Sequence, residues 1–537
     1  MYTKRQKKRK KEEKKAQKQI EEKTNIANIN SVKKNGEPKV IELNLSATVA
    51  VIIAIVVLIV TVTSVKVITT IIEAEESRKL NNEEQNANER VTYVNSTLKD
   101  ESGNIVNETD ADGNVIQVPV PKGYSASKIE GETTASKGFV IYEGDVDWST
   151  ILVDSESTQS NVAIDEPAFD DDLVVINENM PESNIVQDAN DDENTADDDT
   201  ANDDTTTDIT TPTQEEINIF NLQKTRNQYV WVPVDDPARI YGVDNKGKIW
   251  GKLYSFSNTG RTADNWTETN GIMNITSQTS FREPNVLQIS SGDDRDGYSY
   301  MHSYGLGETR YEMLTQELEQ NYYEIIESIK KYGGFYIGRY ETGGLNGTAV
   351  VRKMDTNISN QNWYTMYKKC LTLKGTNTDV KTSMIFGNLW DEALEWLVKS
   401  GTIISDGTTL TYQLVSSNST TWGNYSDATF NYIAANAETP LMTETKAQST
   451  GGTRIPAGSA EYTKANNVYD MAGNVWDWTT EAYFTDYRVH RGGDFYNNGG
   501  SNPASIRLSY GGPYNNYDSV RLSLCTLDKV VWYPETL

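Results

Sequence analysis

Apolar and polar positions alternate in three different ways along this chain. From Leu43 to Val65 the sequence LNLSATVAVIIAIVVLIVTVTSV runs 23 residues without a charge. As a helix it spans roughly 34 Å, enough for a bilayer core of about 30 Å. It predicts a membrane-spanning helix, placed at 43–67. The run exceeds the roughly 7 to 15 residues of a signal-peptide core and no small-x-small site follows it, so it reads as an uncleaved anchor. From Asn227 onward the periods are those of a folded domain. Gln228-Tyr-Val-Trp-Val-Pro-Val and Gly334-Phe-Tyr-Ile-Gly-Arg-Tyr-Glu-Thr predict strands. Residues 311–332 repeat Met313, Leu314, Leu318, Tyr322, Ile325, Ile326 and Ile329 at helical spacing, and shorter helices are predicted over 362–373 and 389–399. After Ser400 short strands alternate with Gly/Asn turns. The expected fold class is α+β.

Residues 155–216 have no period at all. The tract DANDDENTADDDTANDDTTTD cannot bury enough apolar surface to offset its ordering entropy, so this segment is expected to be an acidic, disordered, self-repelling spacer. Upstream, 73–115 reads as a stalk with short hairpins. Asp100-Glu-Ser-Gly-Asn-Ile-Val and Asp110-Ala-Asp-Gly-Asn-Val-Ile repeat one pattern, with Gly-Asn turns before β-branched residues. The Asp-x-Asp-Gly piece resembles a calcium loop but lacks its later glutamate, so the turn is favoured. Residues 116–154 read as edge strands that belong with the domain at 217–537.

Charge sharpens this picture. The 537 residues carry a formal net charge of −27. Residues 1–40 hold 14 Lys/Arg against 5 Asp/Glu, whereas 138–223 hold 24 Asp/Glu and no Lys or Arg. The basic tail, 1–42, places the N-terminus in the cytoplasm by the positive-inside rule and suits anionic lipid. The acidic remainder argues against a nucleic-acid partner. Two Cys, Cys370 and Cys525, allow at most one bridge and exclude a Cys-rich zinc site; whether they pair is open. Two His leave little room for imidazole chemistry.

Four motifs occur in a fixed order: Gly334-Phe-Tyr-Ile-Gly-Arg-Tyr-Glu, Trp390-Asp-Glu-Ala-Leu-Glu-Trp, Asn467-Val-Tyr-Asp-Met-Ala-Gly-Asn-Val-Trp-Asp-Trp-Thr and Arg488-Val-His-Arg-Gly-Gly-Asp-Phe. This order resembles the formylglycine-generating enzyme and sulfatase-modifying-factor family, whose fold is a variant of the C-type lectin fold. The resemblance covers roughly Gly334 to Leu524, with a weaker extension back to Val118. In that family a pair of cysteines five positions apart after Arg-Gly-Gly binds copper and activates oxygen. Here those positions are Asn497 and Asn502. Without thiolates there is no soft site for copper, so neither copper nor the oxidase reaction is expected. Trp476 and Trp478 are expected to be core aromatics. The resemblance also implies a structural calcium held by the side chains of Asp470 and Asp477 and the carbonyls of Gly473 and Val475, all oxygen donors.

Of the 26 residues from 494 to 519, 19 are Asn, Tyr, Ser, Gly or Asp. That composition resembles antibody paratopes. It also resembles the variable region of proteins diversified by retroelements, which recur on this lectin-like fold. Asp494, Tyr496, Asn497, Asn498, Asn502, Ser509, Tyr510, Tyr514, Asn515, Asn516, Tyr517 and Asp518 are the candidate ligand contacts, expected to be exposed and exchangeable. Arg491, Gly492, Gly493, Pro503, Ala504 and Arg507 are the expected framework. The resulting expectation is a single-pass protein of a bacterial cell membrane, its C-terminal domain outside, binding an unknown protein or glycan without catalysis. The alternatives are an adhesive or structural envelope protein of fixed specificity and, further off, a formylglycine-generating oxidase.

Overall fold

A computed structural model describes residues 90–153, 211–243, 249–262, 266–267, 272–275, 279–283, 308–344, 348–357, 363–483, 487–510, 518–520 and 522–526. All of these fall in one compact unit. The basic tail, the apolar run from Leu43 to Val65 and most of the acidic tract lie outside the described residues. Among the described residues no helix is long and apolar enough to cross a membrane.

The chain enters through short hairpins. β1 (Val91–Asn95) pairs with a later strand, β4 (Gln117–Pro121), while β2 (Thr97–Lys99) pairs with β3 (Ile105–Asn107). The repeated acidic turns are closed by their own aspartates. Asp100 accepts from the backbone N–H of Ser102 and Asn104 at 2.9 and 2.8 Å, and Asp110 does the same for Asp112 and Asn114 at 2.9 Å each. These side chains imitate a backbone turn and free the following residues to extend.

A six-stranded antiparallel sheet forms the centre. Its strands are β5 (Tyr124–Ala126), β6 (Val140–Glu143), β7 (Gln228–Pro233), β8 (Gly334–Gly338), β9 (Val380–Met384) and β10 (Leu522–Thr526), in the order β9-β10-β8-β7-β6-β5. Alternation of side chains divides β7 between two cores. Tyr229 and Trp231 pack with Tyr336, Trp363 and Met366 on one face, while Val230 and Val232 pack with Phe335, Ile337 and Leu389 on the other. Both faces are thus covered, which is why these strands read as nearly continuous apolar runs.

Among the described residues, four helices have ten or more residues. α1 (Gln214–Thr225) starts three residues before the expected domain boundary, because Thr213 and Glu216 form a reciprocal capping box. α2 is Glu308–Tyr332 and α3 is Trp363–Thr372. α4 (Gly387–Lys399) is buried along nearly its whole circumference. Leu389, Ala393, Leu394 and Leu397 join the core, and the acidic side chains between them are matched by arginines: Glu392 with Arg261 at 2.7 Å and Glu395 with Arg239 at 2.8 Å. The helix's first N–H, on Gly387, donates to Glu283 at 2.8 Å. A Cβ on Gly387 would sit 2.0 Å from the Glu481 carboxylate, so the close approach requires glycine.

A second sheet carries the motif-rich end of the chain. It contains β11 (Trp476–Tyr483), β12 (Tyr487–Arg491) and β13 (Arg507–Tyr510), joined antiparallel, with β14 (Asp518–Val520) parallel to β11. The expected core role of the tryptophans holds. Trp478 is fully buried, and Trp476 stacks on His490 with ring centroids 4.2 Å apart.

Candidate ligand-binding face

The loop from Gly492 to Ile506 connects β12 to β13, and its shape starts from two glycines. Gly492 and Gly493 have φ of 90° and 80°, the left-handed region. A Cβ on Gly493 would lie 2.4 Å from the Asn502 carbonyl oxygen and 2.8 Å from the Tyr425 ring. Any side chain here therefore clashes as well as strains. Both loop ends rest on a buried quartet of charges. Arg491 donates to Asp391 at 2.5 Å and to Glu481 at 2.7 Å, and Arg507 donates to Asp391 at 2.9 Å and also to Glu481. Burial alone would raise the Asp391 carboxyl, but Arg491 and Arg507 outweigh it and hold the group below the ordinary aspartate range. The two guanidinium forks join α4, β11, β12 and β13 at one point, fixing where the loop leaves and re-enters the sheet.

Within the loop, hydrogen bonds use up part of the polar composition. Asp494 is 2% exposed and its carboxylate accepts from the Asn497 backbone at 3.1 Å and from the Asn497 amide at 2.7 Å. Burial raises its pKa, and these bonds from Asn497 pull it back. The Asn498 side chain accepts from Ser501 N–H at 2.7 Å. Pro503 and Ala504 are buried, and Ala504 N–H donates to the Ser419 hydroxyl at 2.9 Å. The tip docks on a neighbouring loop: Ser426 N–H donates to the Asn497 carbonyl at 2.9 Å, and Gly499 N–H to Asp427 at 3.2 Å.

What remains exposed is specific. Tyr496 is 52% exposed, and with Asn498 it lines a shallow groove of about 520 Å3 whose other walls include Ser426, Asp427, Gln448 and Thr450. Two further left-handed glycines make this possible. A Cβ on Gly452 would lie 1.7 Å from the Phe495 carbonyl oxygen, and one on Gly451 would lie 3.5 Å from the Tyr496 ring. The far wall is pinned from below by buried Lys446, which donates to the Ala428 carbonyl at 2.7 Å and to that of Tyr425. Burial lowers its pKa to about 8, with Asp427 opposing.

The twelve candidate contacts therefore separate. Tyr496 and Asn498 meet in the groove. Asn497, Asn502 and Ser509 are half-buried. Tyr510 pairs with Arg488 at the end of β13, and Asp518 pairs with Trp476 in β14. Tyr514, Asn515, Asn516 and Tyr517 lie outside the described residues. Asp494 is a correction: it was expected to be exposed and exchangeable, but it is buried because its carboxylate closes the turn. The walls at 426–427 and 448–451 were missed in the sequence. The Gly451-Gly452 pair, repeating Gly492-Gly493, was the available signal.

The expected calcium loop is also folded back on the protein. Asp470, at φ 58°, accepts from Gly458 N–H at 2.8 Å and from the Thr463 hydroxyl at 2.6 Å. Gly473 N–H donates to the Gly492 carbonyl at 2.9 Å, and Val475 N–H to buried Glu341 at 3.1 Å. Asp477 is buried on β11. The donor chemistry, two carboxylates and two carbonyls, fits a hard cation. Such an ion would share the Asp470 oxygens with Gly458 and Thr463. Cys370 lies buried on α3, where burial pushes its thiol pKa well up.

The described residues form a mixed helix-and-sheet domain whose ordered motifs resemble those of the sulfatase-modifying-factor family. Residues 407–519, which hold the loop and both groove walls, match the family model of the sulfatase-modifying factor enzyme 1-like domain. No curated protein matches the chain. Among solved structures, Treponema denticola variable protein 1 aligns at 12% identity over 36% of this chain and 95% of that one, with a TM-score of 0.13.

Proposed function

We propose that this chain is a membrane-anchored surface protein whose lectin-like domain binds a ligand through the Gly492–Ile506 loop and the exchangeable residues around it, as a diversified variable protein does. The observation that carries the reading is the division of one loop into a buried frame, Arg491 to Asp494 with Pro503 and Ala504, and an exposed stretch whose Tyr496 and Asn498 line an open groove. A half-exposed tyrosine supplies large contact area at little entropic cost, and the asparagine beside it supplies adaptable hydrogen bonding. Tyr510, Tyr514, Asn515, Asn516, Tyr517 and Asp518 are further candidate contacts in this reading.

The domain binds and does not catalyse. Asn497 and Asn502 occupy the positions of the family's redox cysteines, and the Asn497 amide is committed to Asp494. Calcium at Asp470, Gly473, Val475 and Asp477 stabilises the loop under the face and does not touch ligand. The anchor at 43–67 holds the N-terminus in the cytoplasm and the domain outside a bacterial membrane. The test is an array of surface proteins and glycans probed with the full-length chain, and with the same chain bearing Tyr496→Ser, Asn498→Ala and Tyr510→Ser. Binding that disappears with folding intact supports the reading. Binding that persists assigns recognition to a fixed surface elsewhere.

A further inference from the structure

A second cavity, of about 480 Å3, shares no lining residue with the groove at Tyr496. α1, the turn before β6 and the loops around Lys353 and Tyr469 enclose it, with Phe220, Ile219 and Leu441 forming an apolar side. Four cations line it, Lys137, Arg339, Lys353 and Lys464, and two of them, Lys353 and Arg339, are buried with donors incompletely used. Lys353 is 8% exposed, yet the nearest carboxylate to its ammonium is Glu461 at 3.5 Å, at the limit of a hydrogen bond. Arg339 is 2% exposed; its Nη1 reaches Glu132 at 2.7 Å, Gln228 at 3.1 Å and the Tyr142 hydroxyl at 3.3 Å, while its Nε has no partner among the described residues. The guanidinium and the Lys353 ammonium lie 5.8 and 5.4 Å from the centroid of the same ring, Tyr469.

A buried donor left without an acceptor costs about 1 to 3 kcal/mol, and more when charged, so a native protein rarely keeps one such as Arg339 Nε, beside an ammonium held only by a 3.5 Å contact, at a cavity without a use. We infer that this cavity binds a small organic monocarboxylate, its carboxylate between Lys353 and Arg339 and its apolar body against Phe220 and Ile219. A carboxylate supplies acceptors to both cations at once. A phosphate dianion would bring a second negative charge beside Glu130, Glu132, Glu216 and Glu461, which already balance the four cations of the lining. A neutral ligand would leave the ammonium with only its 3.5 Å contact to Glu461. The volume falls within the range usual for small-molecule sites.

Benzoate is the probe, titrated into the full-length chain by calorimetry and by thermal unfolding, with benzyl alcohol and phenyl phosphate as controls. Benzoate is expected to bind and raise Tm with concentration, and the two controls to bind at least about tenfold more weakly. Lys353→Met removes the ammonium and is expected to weaken benzoate by about tenfold or more. Ile219→Trp fills the apolar side without touching a charge and is expected to abolish binding while the chain stays folded. No benzoate binding to the wild type, equal binding of benzyl alcohol, or unchanged affinity in folded Ile219→Trp would each overturn the assignment.

Discussion

Two stretches of the same loop, alike in composition, meet opposite fates. Gly492-Gly493-Asp494 and Tyr496-Asn497-Asn498 lie within seven residues of each other and draw on the same Gly/Asn/Asp/Tyr set. The first is buried and hydrogen-bonded into the frame, its two glycines left-handed; the second carries the exposed side chains of the groove. Composition marks a region suited to recognition, but backbone conformation and burial decide which of its residues meet a ligand. A loop that must tolerate exchange at some positions needs the others to be over-determined, and the charge quartet beneath provides that.

The sharpest way to break the contrast is from below. Arg491→Met leaves Asp391 and Glu481 with Arg507 alone, and removing one partner of a buried ion pair costs about 3 to 5 kcal/mol. The urea midpoint of unfolding should fall accordingly, and binding should be lost only together with folding. The same quartet sets an acid limit. Because the folded pKa of Asp391 is depressed, its contribution is complete above the unfolded value of 3.8 and disappears as pH falls below it. Thermal unfolding followed from pH 6 to pH 2 should show Tm dropping most steeply below pH 4.

Next in size is calcium. A hundredfold excess over Kd should stabilise the domain by about 2.7 kcal/mol, and the increment should vanish in Asp470→Ala. Since that substitution also strands Gly458 N–H and the Thr463 hydroxyl, the quantity to compare is the change on adding calcium, not the baseline. Asp494→Ala should then cost about 1 to 3 kcal/mol by orphaning the donors of Asn497, whereas Asn498→Ala and Tyr496→Ser should each stay within about 0.5 kcal/mol. Differential scanning calorimetry of the three variants places Asp494 with the frame or with the face.

Much of the architecture was legible from periodicity. The strand at Gln228 reads as a nearly continuous apolar run because both of its faces are covered, and the helix ending at Tyr332 follows from side-chain spacing because one face must be apolar. The frame was visible as motifs but not as physics. Arg491 and Asp391 stand 100 residues apart, and nothing local announces that they pair. Asp494 was misplaced for a related reason: aspartate and asparagine close turns and contact ligands with the same atoms, so composition cannot separate the two uses. α1 hid its start because Thr213 and Glu216 sit at the end of a Thr- and acid-rich tract, where a capping box looks like more of the same.

The central claim is that exchange is confined to the exposed half of this loop and its continuation. It is tested most directly by sequencing the last fifty or so codons of the gene, which include the loop at 491–507, in many cells of one population. The account predicts substitutions at Tyr496, Asn498, Tyr510 and 514–518, with Arg491, Gly492, Gly493, Asp494, Pro503, Ala504 and Arg507 unchanged. An invariant Tyr496 and Asn498, or substitutions spread equally over Gly493 and Asp494, would contradict it.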